Sequence, residues 1–135
     1  MNLIFVYGTL KTGFPSHDEM LKGERLLGLY TTVEKYPLVI TRPWFSPVML
    51  PEPGVGHHVS GEIYGVNDEK LKDLDKFEYV HLPKGFRRYE IKVVSHAGEI
   101  ILADAYLRPR KFINQICSEY LQCYEDHRYI HERHR

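Results

Sequence analysis

The chain has 135 residues, 43% hydrophobic and 27% charged, an ordinary globular composition that excludes a disordered chain and is long enough to bury a core without metal or disulfide support. Lys plus Arg and Asp plus Glu both number 18, so no net field recruits nucleic acid or an anionic membrane. No basic segment leads into an apolar run at the start and no stretch approaches about 20 apolar residues, so the expectation is a soluble, cytoplasmic, single-domain protein (1–135) with neither signal peptide nor transmembrane helix.

The opening stretch, Leu3 to Lys11, reads as a buried strand that stops abruptly at Gly8. Gly8 lets the backbone turn sharply and approach a ligand without a Cβ, and successive N–H groups after a strand form a concave, partly positive site for an anion. An ordinary strand-to-loop turn would use the same glycine, and the residues alone leave both readings open.

Lys11 to Pro15 is a loop, and Ser16-His-Asp-Glu19 has capping-box spacing that predicts a short helix from Ser16. Arg25–Val33 and Pro37–Ile40 are strand-like. Between Thr41 and His58, four prolines and two glycines surround Trp44-Phe45 and Val48-Met49-Leu50. That much apolar surface is not left in water, so the excursion either walls a pocket or packs as a surface loop around the only Trp. Val59 to Val66 reads as a strand, and Asn67-Asp-Glu69 caps a helix over Asp68–Phe77 with acids at its positive end. Arg87–Ser95 alternates around Tyr89, Ile91 and Val93, turns at His96-Ala-Gly98 and returns as Glu99–Tyr106, an antiparallel pair.

After Arg108-Pro109-Arg110, the positions of Phe112, Ile113, Ile116, Cys117, Tyr120, Leu121 and Tyr124 predict a helix over Lys111–Asp126. Cys117 and Cys123 would point in different directions from it and stay reduced, and neither CxxC nor Cys/His zinc spacing is present. The basic and aromatic tail from His127 to Arg135 reads as solvated or folded back, in preference to a nucleic-acid patch.

The position that stands out chemically is Glu78. Leu71, Leu74 and Glu78 share one face of the helix over 68–77, which puts a carboxylate where a core residue is expected. Apolar walls disfavour the charged form, raise the pKa and let one group both take and return a proton near neutrality. The alternative is a frayed helix end with Glu78 in solvent or paired to Arg87 or Arg88. The histidines, His57-His58 included, lack zinc spacing, and Ser16, Ser46, Ser60 and Ser95 lack a nucleophile-elbow context.

Val6-Tyr-Gly-Thr-Leu-Lys11, Gly61-Glu-Ile-Tyr-Gly-Val66, Leu74-Asp-Lys-Phe-Glu78 and Phe86-Arg-Arg88, in that order and spacing, resemble the gamma-glutamylcyclotransferase-like superfamily, within it the gamma-glutamylaminecyclotransferase branch. Tyr36-Pro-Leu-Val-Ile40, Pro43-Trp44 and Arg128-Tyr129 extend the resemblance over nearly the whole chain. It implies an α+β fold, a small and mostly antiparallel β-barrel with flanking helices and a pocket at the N-terminal loop. It implies that the α-amine of an L-gamma-glutamyl group attacks its own γ-carbonyl, releasing an amine and 5-oxoproline. The branch implies gamma-glutamyl-ε-lysine, left when transglutaminase crosslinks are digested, as substrate.

In that scheme Glu78 is catalytic, and the substrate-binding residues are Tyr7, lining the pocket, and Gly8, Thr9 and Leu10, whose N–H groups hold substrate oxygens. The expected partner is a small gamma-glutamyl compound, with no cofactor, metal, nucleic acid or membrane, and the expected state is a monomer. Phe86 departs from the family's usual tyrosine, and 79–85 is slightly longer than the family pattern, so another gamma-glutamyl amino acid or amine is an alternative substrate. A non-catalytic binding module on the same fold is a third reading.

Overall fold

A computed structural model describes residues 1–135. Its strands are β1 (Asn2–Val6), β2 (Arg25–Tyr36), β3 (Leu38–Thr41), β4 (Ser46–Met49), β5 (His57–Val66), β6 (Arg87–Ser95) and β7 (Ile100–Leu107), with helices α1 (Pro15–Met20) and α2 (Asp68–Phe77). Five strands close a barrel in the order β1-β5-β2-β6-β7, and β3 with β4 forms a separate hairpin. Every pairing is antiparallel except the one that seals the barrel, β1 against β7 through Ile4 and Asp104. The expected small, mostly antiparallel barrel with flanking helices is what forms. No helix is long and apolar enough to cross a membrane.

The two-residue period of β1 divides the core. Phe5 and Tyr7 point inward with Val59, Ile63, Ile91, Val93, Ala103, Ala105 and Leu107. Ile4 and Val6 point outward and join Leu10, Tyr64, Val66, Tyr106 and Leu74, so α2 lies on the outside of the barrel beside the end of β1. This packing brings the loop after β1 and the end of α2 to the same place.

The helix over 68–77 has the predicted boundaries, and Asn67 caps it by accepting from the Lys70 amide at 2.7 Å. The hairpin β6–β7 pairs Arg87 with Leu107 through to Val94 with Ile100, so β7 is displaced by one residue from the expected Glu99–Tyr106. The capping box at Ser16 does not form: Phe14 is the N-cap and Pro15 takes the first turn, where its missing N–H is no loss, which carries Ser16 inside the helix with its hydroxyl buried. The excursion after Thr41 is the β3–β4 hairpin, turning through a cis Arg42–Pro43 bond.

The predicted helix over Lys111–Asp126 is absent. A short 3-10 turn, Arg110–Phe112, leads into an extended run whose backbone follows β3. The amide of Arg42 donates to Gln115 O at 2.8 Å, that of Cys117 to Ile40 O at 2.8 Å, and that of Leu121 to Leu38 O at 2.8 Å. The apolar spacing was compatible with a helix, but β3 offers an open edge, and a run of Ile, Asn, Cys and Tyr has little intrinsic helical preference to set against it. Cys117 and Cys123 are free thiols on this run.

Candidate active site

A cavity of about 420 Å³ opens between the loop after β1, the hairpin β3–β4, the C-terminal end of α2 and the tail. That size suits a small molecule. Each of the residues singled out from the sequence, Tyr7, Gly8, Thr9, Leu10 and Glu78, lines it.

The loop is fixed from several sides. Lys11 donates its amide to Gly8 O at 3.0 Å and its ammonium to Tyr124 O at 2.7 Å, and the Thr12 amide donates to the Glu62 carboxylate at 2.8 Å. Leu10 O is bonded to His17 Nδ1 at 3.1 Å. The N–H groups of Gly8, Thr9 and Leu10 donate to no acceptor in the protein. Three consecutive donors at a cavity wall form a site for an oxyanion or carboxylate. A Cβ on Gly8 would stand 2.7 Å from Pro47 Cγ, so glycine is needed here for the close approach of β4.

Tyr7 serves the architecture. Its hydroxyl donates to Tyr106 O at 2.7 Å and accepts from the Met49 amide at 3.2 Å, tying β1, β4 and β7 together. Burial pushes this phenol well above its ordinary range, opposed by the Met49 amide and helped slightly by the charge of Glu78. What Tyr7 offers the cavity is its ring, because the hydroxyl is already satisfied.

Glu78 is the residue that ends α2. Its amide donates to Leu74 O at 2.9 Å, its carbonyl accepts from the Phe86 amide at 3.1 Å, and the next residue, Tyr79, takes a left-handed φ of 56° that turns the chain back. Gly85 closes this turn by lying so near the Tyr79 carbonyl that a Cβ would not fit. The backbone of Glu78 is therefore fixed on both sides. No hydrogen bond or ion pair of the protein engages its carboxyl. The arginines that could have neutralised it are occupied: Arg88 lies 3.2 Å from both Asp75 and Asp104, and Arg87 stacks over Phe112. The residue keeps some exposure through the cavity, yet its carboxyl is surrounded by protein, and desolvation raises its pKa to about 7. The frayed-helix alternative does not hold.

Several lining residues were not identified from the sequence. Tyr106 donates its hydroxyl to Asp75 at 2.7 Å, and Arg108 lies with its guanidinium 5.7 Å from the centre of the Phe86 ring. Tyr129, Glu132 and Arg135 reach the cavity because the tail folds back over it. The Ile130 amide donates to Trp44 O at 2.9 Å, His131 meets Glu19 at 2.7 Å, and Tyr79 donates to Glu132 at 2.8 Å. The folded-back reading of the tail is correct, and the resemblance at Arg128-Tyr129 was the one signal that it belonged to the site. Trp44 and Pro47 place the hairpin β3–β4 as a cavity wall.

Comparison with known proteins shows the family and the fold. The family model for "Gamma-glutamyl cyclotransferase, AIG2-like" matches residues 4–130. A gamma-glutamylaminecyclotransferase from Bos taurus is 47% identical over 79 residues, 56% of this chain and 47% of that protein. One from Rattus norvegicus is 44% identical over 94 residues, 67% of this chain and 62% of that protein. The chain spans between 43% and 68% of the length of eight curated relatives that it matches. The crystal structure of an AIG2-like protein from Mus musculus superimposes with a TM-score of 0.83 at 32% identity, covering 100% of this chain and 99% of that one.

Proposed function

The chain belongs to the gamma-glutamyl cyclotransferase, AIG2-like family, and on that premise we propose that it converts an L-gamma-glutamylamine, gamma-glutamyl-ε-lysine foremost, into 5-oxoproline and the free amine. One observation carries the reading: an unpaired carboxyl titrating near neutrality lines the same cavity as three consecutive free backbone donors.

The chemistry follows from these groups. The glutamyl α-carboxylate and the γ-carbonyl oxygen lie toward the N–H groups of Gly8, Thr9 and Leu10. The carboxylate of Glu78 takes a proton from the α-ammonium, and the freed amine attacks the γ-carbon to close a five-membered ring. The negative charge that develops on the γ-oxygen is stabilised by donors already in position. Glu78, now a carboxylic acid, gives its proton to the departing nitrogen and takes the second proton from the ring nitrogen as the C–N bond breaks, leaving the neutral lactam. That proton passes to the released amine, which leaves as an ammonium. A carboxyl with a pKa of about 7 is suited to these transfers, because neither form is strongly preferred at neutral pH. Nucleophile and electrophile belong to one molecule, so holding them in a ring-closing geometry supplies much of the acceleration.

The test is a panel of gamma-glutamyl donors with detection of 5-oxoproline. Gamma-glutamyl-ε-lysine is expected to yield 5-oxoproline and lysine. Glu78→Gln is expected to abolish turnover while the circular dichroism spectrum is retained. Turnover by that variant at the wild-type rate would remove Glu78 from the mechanism. Ligand-dependent melting without product would instead identify a binding module.

A further inference from the structure

The cavity contains three cations, Lys84, Arg108 and Arg135, and they are not equivalent. Lys84 is solvent-exposed. Arg135 donates its Nε–H to Ile130 O at 3.2 Å and lies 4.9 Å from the centre of the Trp44 ring. Arg108 is half-buried, forms no ion pair, and has its Nε buried with no acceptor. Its backbone is fixed, since its amide donates to Met49 O at 3.2 Å, and its guanidinium has the face of Phe86 beneath it. A buried N–H without a partner is uncommon, and on a cavity wall it is a donor left for a ligand.

The glutamyl half of the substrate does not need this group. Its α-carboxylate is bonded to the carbon that carries the attacking amine, so it must lie beside Glu78. The free donors of Gly8, Thr9 and Leu10 line the same cavity as Glu78 and can receive it. Arg108 forms no ion pair with Glu78 or with any other acid of the protein, so its guanidinium is not spent on the proton carrier. The cavity wall also carries apolar and aromatic side chains, including Phe77, Leu82 and Phe86. The cavity therefore combines an anion cradle with its proton carrier, apolar walls, and a further cationic donor without an acceptor.

We propose that Arg108 is a specificity-determining residue that binds the carboxylate of the leaving amine, so that the preferred substrates are gamma-glutamyl conjugates of an amine bearing its own carboxylate. This inference rests on the cyclotransferase reading. Phe86 contributes by stacking under the guanidinium while offering no hydroxyl to compete for it.

The experiment compares two donors that differ only in that carboxylate, gamma-glutamyl-ε-lysine and N-gamma-glutamylcadaverine, using the full chain. A charge-assisted hydrogen bond lost on binding corresponds to a factor of about ten to a hundred. Wild type is expected to favour the lysine conjugate in kcat/KM by that factor, chiefly through KM. Arg108→Met is expected to bring the ratio between the two donors to within about twofold of unity, and Arg108→Lys to recover part of it. A wild type that handles both donors equally, or an Arg108→Met variant that keeps the wild-type ratio, overturns the assignment while leaving the cyclotransferase reading intact. Where Arg108→Met does not fold, the wild-type ratio and Arg108→Lys decide. Absence of 5-oxoproline from both donors with wild type rejects the cyclotransferase reading, and the assignment with it.

Discussion

Glu78 couples function to stability through one desolvated carboxyl. Its pKa in the folded chain, about 7, lies above the ordinary carboxylate value of 4.5. Below pH 4.5 it is neutral in folded and unfolded chains alike and carries no penalty. As pH rises from 4.5 to 7 the unfolded chain ionises first, so stability falls, and above pH 7 the full penalty is present. That penalty amounts to no more than about 3 kcal/mol, reduced by whatever water the open cavity admits. Glu78→Gln should therefore melt at a higher temperature than wild type at pH 8 and at nearly the same temperature at pH 4.5, which thermal scans at the two pH values would check. In the wild type, kcat/KM should decline as pH drops through about 7, where an unperturbed glutamate would hold activity down to pH 5. Gly8 makes a separate prediction. Its φ lies in the ordinary region, so alanine there adds no backbone strain, only overlap with Pro47. Gly8→Ala should lose about 1–3 kcal/mol in denaturant titrations and, by pushing the loop from β4, reduce turnover by more than its loss of folded protein explains.

At the scale of elements, the site is made by the ends of structures. The loop after β1, the residue that caps the C-terminal end of α2 and the tail each contribute where regular hydrogen bonding stops and groups are left to face a ligand. His131 is one of the groups that hold the tail. The Arg133 amide donates to its Nδ1 at 3.1 Å, which leaves the ring proton on Nε2, directed at Glu19. His131→Ala should free the segment that carries Tyr129, Glu132 and Arg135, raising KM for gamma-glutamyl donors about threefold to tenfold with kcat little changed, an effect of about 1 kcal/mol. Limited proteolysis would report the same release as faster cleavage near Tyr129. Elements with local determinants were legible beforehand: α2 because Asn67 caps it and Leu71 and Leu74 recur at its period, β6 and β7 because their alternation straddles a glycine turn. The run from Lys111 to Asp126 was misread because its apolar period is satisfied equally by an extended run whose partner, β3, lies some 75 residues earlier. The docking of His131 on Glu19 and the burial of Arg108 Nε were illegible for the same reason, since the groups that decide them are far away in sequence.

At the scale of the whole molecule, the barrel is a device for bringing distant parts of the chain together. Tyr7 bonds to Tyr106 and Met49, and Lys11 to Tyr124, so the cavity walls are fixed by bonds that each join segments dozens of residues apart. The glutamyl end of the cavity was legible because the strand-glycine loop and the helix-end carboxylate each have a local signature. The opposite end was not, because Arg108 is an ordinary surface-type residue until Phe86 and β4 close around it.

The seam between Ile4 and Asp104 has a consequence for how the molecule comes into being. The first strand is synthesised first and finds one neighbour in β5, but the strand that completes its pairing emerges about a hundred residues later, and the loop this closes must give up its freedom before the seam forms. A nascent chain paused before β7 carries the Tyr7–Leu10 loop and Glu78 without the Tyr7–Tyr106 bond and without the cavity wall that β7 and the tail supply. Activity should therefore arise in one late step with the sealing of the barrel, on the slow side of single-domain folding, with no partly active precursor before it.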